Sequence, residues 1–346
     1  MNITLALIIS FAVSLVVTAI LGYVLIPVLH KLKFGQNILT DIGPAWHAKK
    51  QGTPTMGGIM FIIGIIFTTV LTILICIGTG YSPFSDMAEL KNQQITRLVS
   101  GILMAFCFAL VGFADDYIKV VKKRNLGLTE IQKTIPQVLI IAAYLGGLIL
   151  SKSTSMFIPF YGKVALDSVP GIIFFVIFGV CVIYGCINAV NFTDGIDVLC
   201  GCVTIPVGAA FAVIGIIMHT TSVGILGAAL CGGCIGYYIW NHYPAKVMMG
   251  DTGSMFLGGI IVALAYAIEC PLILLPIGIV YVIEALSDVI QIGSIKLRHK
   301  KVFKMAPIHH HFEMCGWNEK KIVRVFTFVS TIGCIIGVAL MYFTVK

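Results

Sequence analysis

Ten apolar stretches of about 20 residues each constrain the fold of this chain more than any other feature. They cover residues 3–28, 56–78, 98–114, 134–150, 169–187, 198–218, 223–240, 252–268, 271–290 and 323–345. A helix of about 20 apolar residues is long enough to cross the hydrocarbon core of a bilayer. Only 11% of the residues are charged, against roughly 25% in soluble domains. The sequence therefore predicts an all-α, polytopic membrane protein with about ten transmembrane helices.

The ten stretches follow one another without a long linker, a repeat or a low-complexity tract, so we predict a single transmembrane domain over residues 1–346. The ninth stretch contains Pro276 and Gly278, which predicts a kinked or broken helix. Cys231 and Cys234 have the spacing of a redox or metal motif. They lie within an apolar stretch without a second cysteine pair or a nearby histidine, which favours small residues at a helix contact.

The placement of lysine and arginine predicts the orientation in the membrane. Eighteen of the 23 basic residues lie on one set of connections, at residues 31–55, 115–133, 188–197, 241–251 and 291–322, with Arg324 beside the last. Because basic loops stay in the cytoplasm, we expect these connections there and both termini outside. The net charge of +8 is explained by this asymmetry, so we expect no nucleic-acid partner.

The acidic residues are concentrated at the same membrane face. Charge at membrane depth is costly, and such residues are candidates for function by default. Seven of the 15 acidic residues, on the basic connections or at their helix junctions, are the candidates: Asp115, Asp116, Asp194, Asp197, Asp251, Glu284 and Asp288.

Two adjacent carboxylates, Asp115 and Asp116, end the third apolar stretch within the sequence FADDYIK. Neighbouring side chains on a helix diverge by about 100°, so the two cannot perform the same task on the same atom. We expect one of them to meet a metal ion or act on a substrate, and the other to orient a lysine.

Two further polar motifs fall on this face. In NAVNFTDGID, Asn191, Asp194 and Asp197 are spaced to share one face of a helical turn, which suits hydrogen bonds to a sugar, a base or a metal's water shell. The alternative is a tight turn of the kind these residues favour. In MGDTGS, Gly and Ser/Thr residues precede a helix and suit phosphate, whereas Asp251 is also a good helix cap.

The remaining two motifs contain lysine and histidine. KQGTPTMGG places Lys50 and Thr55 before the second stretch, as phosphate or uridine contacts or as a plain helix start. APIHHHFE contains three consecutive histidines, whose side chains diverge and cannot all bind one metal ion. We favour hydrogen bonds from these histidines to phosphates, one of them held by Glu313 or the backbone, over a Zn²⁺ site.

Together the motifs predict phosphoryl transfer at the membrane surface. Carboxylates without paired Cys or His ligands indicate Mg²⁺ rather than Zn²⁺, and nearby lysines and histidines indicate a diphosphate substrate. A transporter would relay protons along acids that extend towards the far side, and no acidic residue lies in the outward half of a stretch. A scaffold protein would not explain the Asp115–Asp116 pair.

The strings KQGTPTMGG, FADDYIK, NAVNFTDGID, MGDTGS and APIHHHFE, in this order between Lys50 and Glu313, resemble the phospho-N-acetylmuramoyl-pentapeptide-transferase family. This family belongs to the polyprenyl-phosphate sugar-1-phosphate transferases, and APIHHHFE distinguishes it from relatives that use N-acetylglucosamine phosphate, the second enzyme candidate. The resemblance implies transfer of phospho-N-acetylmuramoyl-pentapeptide from its UDP derivative to undecaprenyl phosphate, giving lipid I and UMP. It also implies Mg²⁺, a homodimer, and a cytoplasmic active site in the bacterial inner membrane.

The resemblance also implies site residues by position. The catalytic residues it implies are Asp115, Asp116, Asp251 and His309, with Asp251 the metal ligand. The substrate-binding residues it implies are Lys50, Thr55, Lys119, Lys123, Lys133, Asn188, Asn191, Asp194, Asp197, Asn241, Met248, Gln291, Ala306, His310 and His311. Met248 departs from the family pattern, which often has Phe there, and weaker stacking on uracil would cost about 1 kcal/mol. Direct attack by the lipid phosphate and a route through an aspartyl-phosphate both fit these residues.

Overall fold

A computed structural model describes residues 2–32, 52–85, 87–122 and 127–345. The described chain is almost entirely helical, with one short hairpin. Its elements are α1 (Ile3–Lys31), α2 (Gly58–Gly78), α3 (Ala88–Val121), α4 (Glu130–Leu150), β1 (Met156–Ile158), β2 (Gly162–Val164), α5 (Val169–Thr193), α6 (Leu199–Ile217), α7 (Thr221–Asn241), α8 (Gly250–Ala267), a 3-10 turn (Pro271–Ile273), α9 (Leu274–Ile277), α10 (Ile279–Arg298), α11 (Ile308–Met314) and α12 (Glu319–Val345).

Nine helices within the described ranges are long and apolar enough to cross a bilayer, and a bent pair makes a tenth candidate. The bent pair is Pro271–Ile277 with Ile279–Arg298, and its two parts meet at 86°. The predicted break of the ninth stretch is therefore confirmed, at Gly278, two residues after Pro276. The all-α polytopic class is confirmed as well, whereas the outward location of the termini stays a prediction.

Two helices, α7 and α8, lie at the centre of the bundle. Of the most apolar part of each helix, 83% is buried in α7 and 89% in α8, against 28% in α1, α4 and α5. The last three helices therefore form much of the lipid-facing surface. The most extensive contacts of α8 are with α3. Small residues allow this close approach: a Cβ on Gly259 would lie 2.6 Å from the Cα of Ala105, and a Cβ on Gly112 would lie 2.3 Å from the carbonyl oxygen of Asp251. This packing brings the end of α3 beside the start of α8.

The helix contacts of α7 also explain the two cysteines in its sequence. Cys231 and Cys234 are buried and form no disulfide. Between them, a Cβ on Gly232 would lie 2.2 Å from the carbonyl oxygen of Phe11 in α1. The structure therefore supports the interpretation of this segment as a helix contact.

At the opposite end of the bundle, a buried ion pair ties α3 to the connection after α8. The guanidinium of Arg97 donates to Glu269 over 2.6 Å and to the Ser155 hydroxyl over 3.2 Å. The Glu269 carboxylate also pairs with Lys163 of β2 over 2.8 Å, and its backbone carbonyl accepts from the N–H of Phe157 in β1. The hairpin, α3 and the connection after α8 are thus joined through one residue, Glu269.

Candidate active site

Three carboxylates meet where α3 ends and α8 begins. Asp115 and Asp116 belong to the last two turns of α3, and Asp251 is the second residue of α8. Each offers an oxygen atom, and these atoms lie within 4.8 Å of one another. Because Asp115 and Asp116 are both only 3% exposed, the cluster is largely removed from water and its charge must be balanced locally.

The two adjacent aspartates have different partners, as the divergence of helical neighbours predicts. One oxygen of Asp116 accepts from the backbone N–H of Asp251 over 3.2 Å, and the other accepts from the N–H and hydroxyl of Thr252 over 2.9 and 2.7 Å. The N-cap residue of α8, Met249, supplies no side-chain hydrogen bond of its own. Asp116 therefore caps α8 from a neighbouring helix, and the charge of its carboxylate complements the helix dipole.

The residue before Asp251 must be small for this cap to form. Gly250 has a backbone φ of +75°, which disfavours other residues. A Cβ at this position would lie 2.5 Å from Asp116 Oδ2 and 2.8 Å from the hydroxyl of Thr55. Gly250 thus allows the motifs MGDTGS, FADDYIK and KQGTPTMGG to contact one another.

Two lysines balance the cluster. Lys119 lies 2.6 Å from Asp115 Oδ2 and 3.2 Å from Asp251 Oδ2, and Lys133 of α4 lies 3.0 Å from the same Asp251 oxygen. The second oxygen of Asp115 accepts the N–H of Leu128, which holds the segment before α4 against α3. The set holds three carboxyl groups and two ammonium groups, and the carboxyl oxygens would stabilise a bound cation there.

The C-terminal end of α5 supplies the third side of the cluster. Asn191 donates to Asp251 Oδ1 over 2.9 Å and to the Ser254 hydroxyl over 2.8 Å, and it accepts from Lys133. One turn earlier, Asn188 donates to Gln137 of α4 and to its own helix. The structure therefore brings Lys119, Lys133 and Asn191 to the carboxylates, and Asn188 close by.

Other predicted residues hold the backbone around the cluster. Asn241 is buried, accepts the N–H of Val198 over 2.8 Å and donates to the carbonyl of Val247 over 2.7 Å. Asp197 accepts the N–H of Ala245 over 3.0 Å. Val198 has a left-handed φ of +63°, which these contacts stabilise. In this structure Asn241 and Asp197 join the turn after α5 to the segment before α8, while Asp194 forms the C-cap of α5.

Met248 lies half-buried in a short extended pairing with the segment before α2. Its N–H donates to the carbonyl of Pro54 over 2.7 Å, and its carbonyl accepts the N–H of Gly57 over 2.8 Å. Thr55, between them, is buried. This pairing attaches the KQGTPTMGG motif to the start of α8. The predicted residues Lys50 and Lys123 lie outside the described residues.

The three consecutive histidines point to three different partners. His309 is fully buried, with Nδ1 3.0 Å from Glu284 of α10. His310 lies 2.6 Å from Glu313, one turn further along α11, and His311 accepts the N–H of Lys304 over 3.1 Å. The divergence of the histidines is confirmed. Among the described residues, the group able to hold a metal ion is the aspartate cluster and not the histidines.

The loop that carries the histidines is held by Gln291. Its amide accepts from the N–H groups of Val302 and Phe303 and donates to the carbonyl of Phe303, each over 3.0 Å. Ala306, at the start of APIHHHFE, is half-buried. Gln291 thus supports the histidine segment from α10.

Sequence patterns did not identify two of the contacts that build this site. Glu284 was a candidate only as a carboxylate within an apolar stretch, and its pairing with His309, 25 positions away, depends on the packing of α11 on α10. Thr252, at the start of α8, donates to Asp116 of α3, and this contact depends in the same way on the packing of α8 against α3. No periodicity within either segment encodes these partners.

Comparisons with known proteins show the family to which the chain belongs. Residues 98–269 match the family described as Glycosyl transferase family 4, and residues 50–62 match the first signature of phospho-N-acetylmuramoyl-pentapeptide-transferase. Proteins of that name are similar along nearly the whole chain. One from Clostridium botulinum (strain Alaska E43 / Type E3) is 44% identical over 96% of this chain and 94% of its own.

Two further relatives carry the same name. The one from Clostridium perfringens (strain 13 / Type A) is 42% identical over 96% of this chain and 98% of its own. The one from Acetivibrio thermocellus is 43% identical over 95% and 92%. Identity at this level along the full length, with the motifs assembled at one site, leads to one conclusion: the chain belongs to the phospho-N-acetylmuramoyl-pentapeptide-transferase family.

Proposed function

We propose that this protein transfers phospho-N-acetylmuramoyl-pentapeptide from its UDP derivative to undecaprenyl phosphate, producing lipid I and UMP. The observation that carries the proposal is the buried cluster of Asp115, Asp116 and Asp251 with Lys119 and Lys133, at the ends of membrane helices. A soluble nucleotide and a lipid can meet only at such a surface, and phosphoryl transfer depends on positioning and on charge neutralisation. The names of the relatives support the phospho-sugar as the transferred group.

We propose Mg²⁺ as the cofactor. The donor set fits, because all three groups are carboxylates, the hard oxygen ligands that Mg²⁺ prefers, and their oxygens are close enough to share one ion. Asp251 is the best ligand, because its side chain is 20% exposed against 4% for Asp115, while Asp116 holds the backbone at the start of α8. When bound, the ion would neutralise charge on the diphosphate.

The protein's own groups would position the substrates. Lys119 and Lys133 contact Asp251 from α3 and α4, and their ammonium groups suit the oxygens of a diphosphate. Asn191 fixes the orientation of the Asp251 carboxylate through its amide. The lysines would thus hold the phosphates at the carboxylates, while the uridine and sugar would occupy the polar surface of the α5 turn and the histidine segment.

An apolar groove beside the broken span supports a polyprenyl acceptor. It has a volume of about 270 Å³ and lies between α5 and the broken α9–α10 span, lined by Phe178, Val182, Leu275, Tyr281 and Leu286 among others. Ala189 and Ala285 line it as well, and they are the neighbours of Asn188 and Glu284. A hydrocarbon chain lying in this groove would present its phosphate towards the polar residues.

The proposal includes the location of the enzyme and its assembly. The excess of basic residues on the connections that carry the site supports a cytoplasmic active site in the bacterial inner membrane. We propose a homodimer as well, on the family relationship alone.

The decisive experiment assays purified protein in detergent with undecaprenyl phosphate and each of two donors. We expect UMP release with UDP-N-acetylmuramoyl-pentapeptide and none with UDP-N-acetylglucosamine. EDTA should abolish turnover, and Mg²⁺ or Mn²⁺, but not Zn²⁺, should restore it. Asp251→Asn should be inactive while extracting and melting like the parent protein. Full turnover in chelator, or preference for the second donor, would overturn the proposal.

A further inference from the structure

Glu284 and His309 form a buried pair that the carboxylate chemistry does not use. Both side chains are fully buried. Glu284 Oε2 lies 3.0 Å from His309 Nδ1 and 3.5 Å from the backbone N–H of the same residue. A carboxylate accepts hydrogen bonds, so the contact requires the proton of the ring to lie on Nδ1. The pair therefore fixes both the position of the ring and the nitrogen that carries hydrogen.

The other nitrogen of the ring faces the α5 turn. His309 Nε2 has no hydrogen-bond partner among the described residues, and a Cβ on Gly195 would lie 2.1 Å from it. Gly195 belongs to the NAVNFTDGID motif, four positions after Asn191, which contacts Asp251. A buried imidazole nitrogen without a partner is costly, and here it is directed at the motif that reaches the carboxylates.

Glu284 is placed for this task by the break in the ninth span. It lies in the second turn of α10, six residues after Gly278, where the chain turns by 86°. Without that turn, the helix that carries Glu284 would continue in the direction of α9 and not pass beneath α11. A carboxylate in an apolar span is expensive to keep unless it has a role. The structure gives it a histidine and a backbone N–H to hold.

We propose that Glu284 is a positioning residue that directs His309 Nε2 towards the phosphorylated donor. Glu284 occupies Nδ1, so Nε2 is the atom left to contact an oxygen of the diphosphate or its sugar at the α5 turn. The inference rests on the function proposed above, because it takes a phosphorylated donor as the ligand. The arrangement follows the logic by which an acid orients a catalytic imidazole in other enzymes.

A double-mutant cycle tests the proposal. Glu284→Gln keeps the volume and one acceptor oxygen, and Glu284→Leu removes both acceptors. We expect kcat to fall about 10- to 100-fold, the range found when a group that orients a functional histidine is removed, with the Leu variant the weaker. In a His309→Ala background the same changes should alter kcat less than about twofold, because the residue through which Glu284 acts is gone. Equal losses in both backgrounds would overturn the proposal.

Two controls separate this role from a structural one. Ser287→Ala changes a buried side chain one turn away, whose hydroxyl donates to the Glu284 carbonyl, and should leave kcat within about twofold of the parent's. Nitrogen NMR of histidine-labelled protein, with the His309 signals assigned by their absence in His309→Ala, should show hydrogen on Nδ1 in the parent and a changed pattern in Glu284→Leu. Unchanged ring signals in Glu284→Leu would contradict the proposal without any activity measurement. If the parent protein fails to release UMP, the proposed function fails instead.

Discussion

At the scale of single residues, the unexpected result is the use of Asp116. The sequence predicts different tasks for the two adjacent aspartates, and the structure shows that Asp116 is a helix cap with three hydrogen bonds while Asp115 holds Lys119 and a backbone N–H. The cap fixes the first turn of α8, and that turn carries Asp251. We therefore expect Asp116 to act through the start of α8 and to position Asp251.

We expect Asp116→Ala to be more damaging than Asp116→Asn. The Asn side chain retains one acceptor oxygen and is itself a good helix cap, whereas Ala loses the cap at a cost of about 1 to 2 kcal/mol. In the order parent, Asp116→Asn, Asp116→Ala, the melting temperature in detergent should fall and the Mg²⁺ concentration for half-maximal activity should rise. Asp115→Asn serves as the comparison, because it should lower turnover without changing the start of α8. Equal loss of activity in Asn and Ala, at unchanged stability and metal requirement, would show that Asp116 acts on the substrate.

Gly195 gives a second prediction at this scale. A methyl group there would overlap the His309 ring, so the ring must move or the α5 turn must shift, at a cost of about 1 to 3 kcal/mol. Gly195→Ala should therefore lower kcat more than tenfold. Gly146→Ala in α4 is the matched control, because its Cβ would meet nothing within 4 Å. Activity of Gly195→Ala within twofold of the parent's would mean that the position of the His309 ring does not matter.

At the scale of elements, the two ends of the bundle have different tasks. At the active-site end, α3, α4, α5 and α8 all contribute side chains to the carboxylate cluster or its partners. At the other end, Arg97 and Glu269 join α3 to the hairpin and to the start of the broken span. Burial alone would raise the pKa of Glu269, but the charges of Arg97 and Lys163 hold that pKa below its usual value of 4.5.

Breaking this pair should destabilise the protein. Glu269→Gln leaves the Arg97 guanidinium buried without its counter-charge, which costs about 3 kcal/mol. Lys163→Met removes a half-exposed partner of the same carboxylate and should cost about 0.5 kcal/mol or less. Because the pKa of Glu269 is lower in the folded protein, its stabilisation is complete above pH 4.5 and is lost as the pH falls below that value. Melting in detergent at pH 7 and pH 4 should show the Glu269→Gln defect at pH 7 and a smaller one at pH 4.

At the scale of the whole molecule, the described residues of all five motifs lie on one face of the bundle. The same face carries the basic connections, among them the segment from Lys296 to Lys304. The opposite end of the bundle carries the hairpin, where the N–H of Phe160 donates to the hydroxyl of Thr344 near the end of α12. The orientation of the bundle therefore decides which compartment the carboxylate cluster faces.

Cysteine labelling tests that orientation. In a background without the native cysteines, position 301 should be shielded from a membrane-impermeant thiol reagent in intact cells, and position 163 of the hairpin should react. Permeabilised cells are the control, since both positions should then react. Labelling of position 301 and protection of position 163 in intact cells would mean that the bundle has the opposite orientation, and it would contradict the proposed cytoplasmic site.

Several features were determined by the sequence alone. The apolar stretches predicted an all-α fold of about ten spans, because every backbone group in lipid must be paired within a helix. They did not give the bounds of every helix, since α3 begins at Ala88 and not at residue 98. Pro276 and Gly278 located the break, and the rarity of charge in lipid singled out the seven acids as candidates. These predictions depend on local composition, and they were confirmed for the fold class and the break.

Only the tertiary structure decided which polar groups are partners. Asp116 lies 135 positions from Asp251 and Glu284 lies 25 from His309, so no local pattern can encode either contact. It is the close approach of α3 to α8, allowed by small residues such as Gly112, and the turn of the chain at Gly278 that bring these groups within hydrogen-bond distance. The same holds for Asn241 and Gln291, because their side-chain amides form hydrogen bonds with backbone groups that become neighbours only when the helices pack. A sequence shows which residues are costly to bury, and packing decides what compensates that cost.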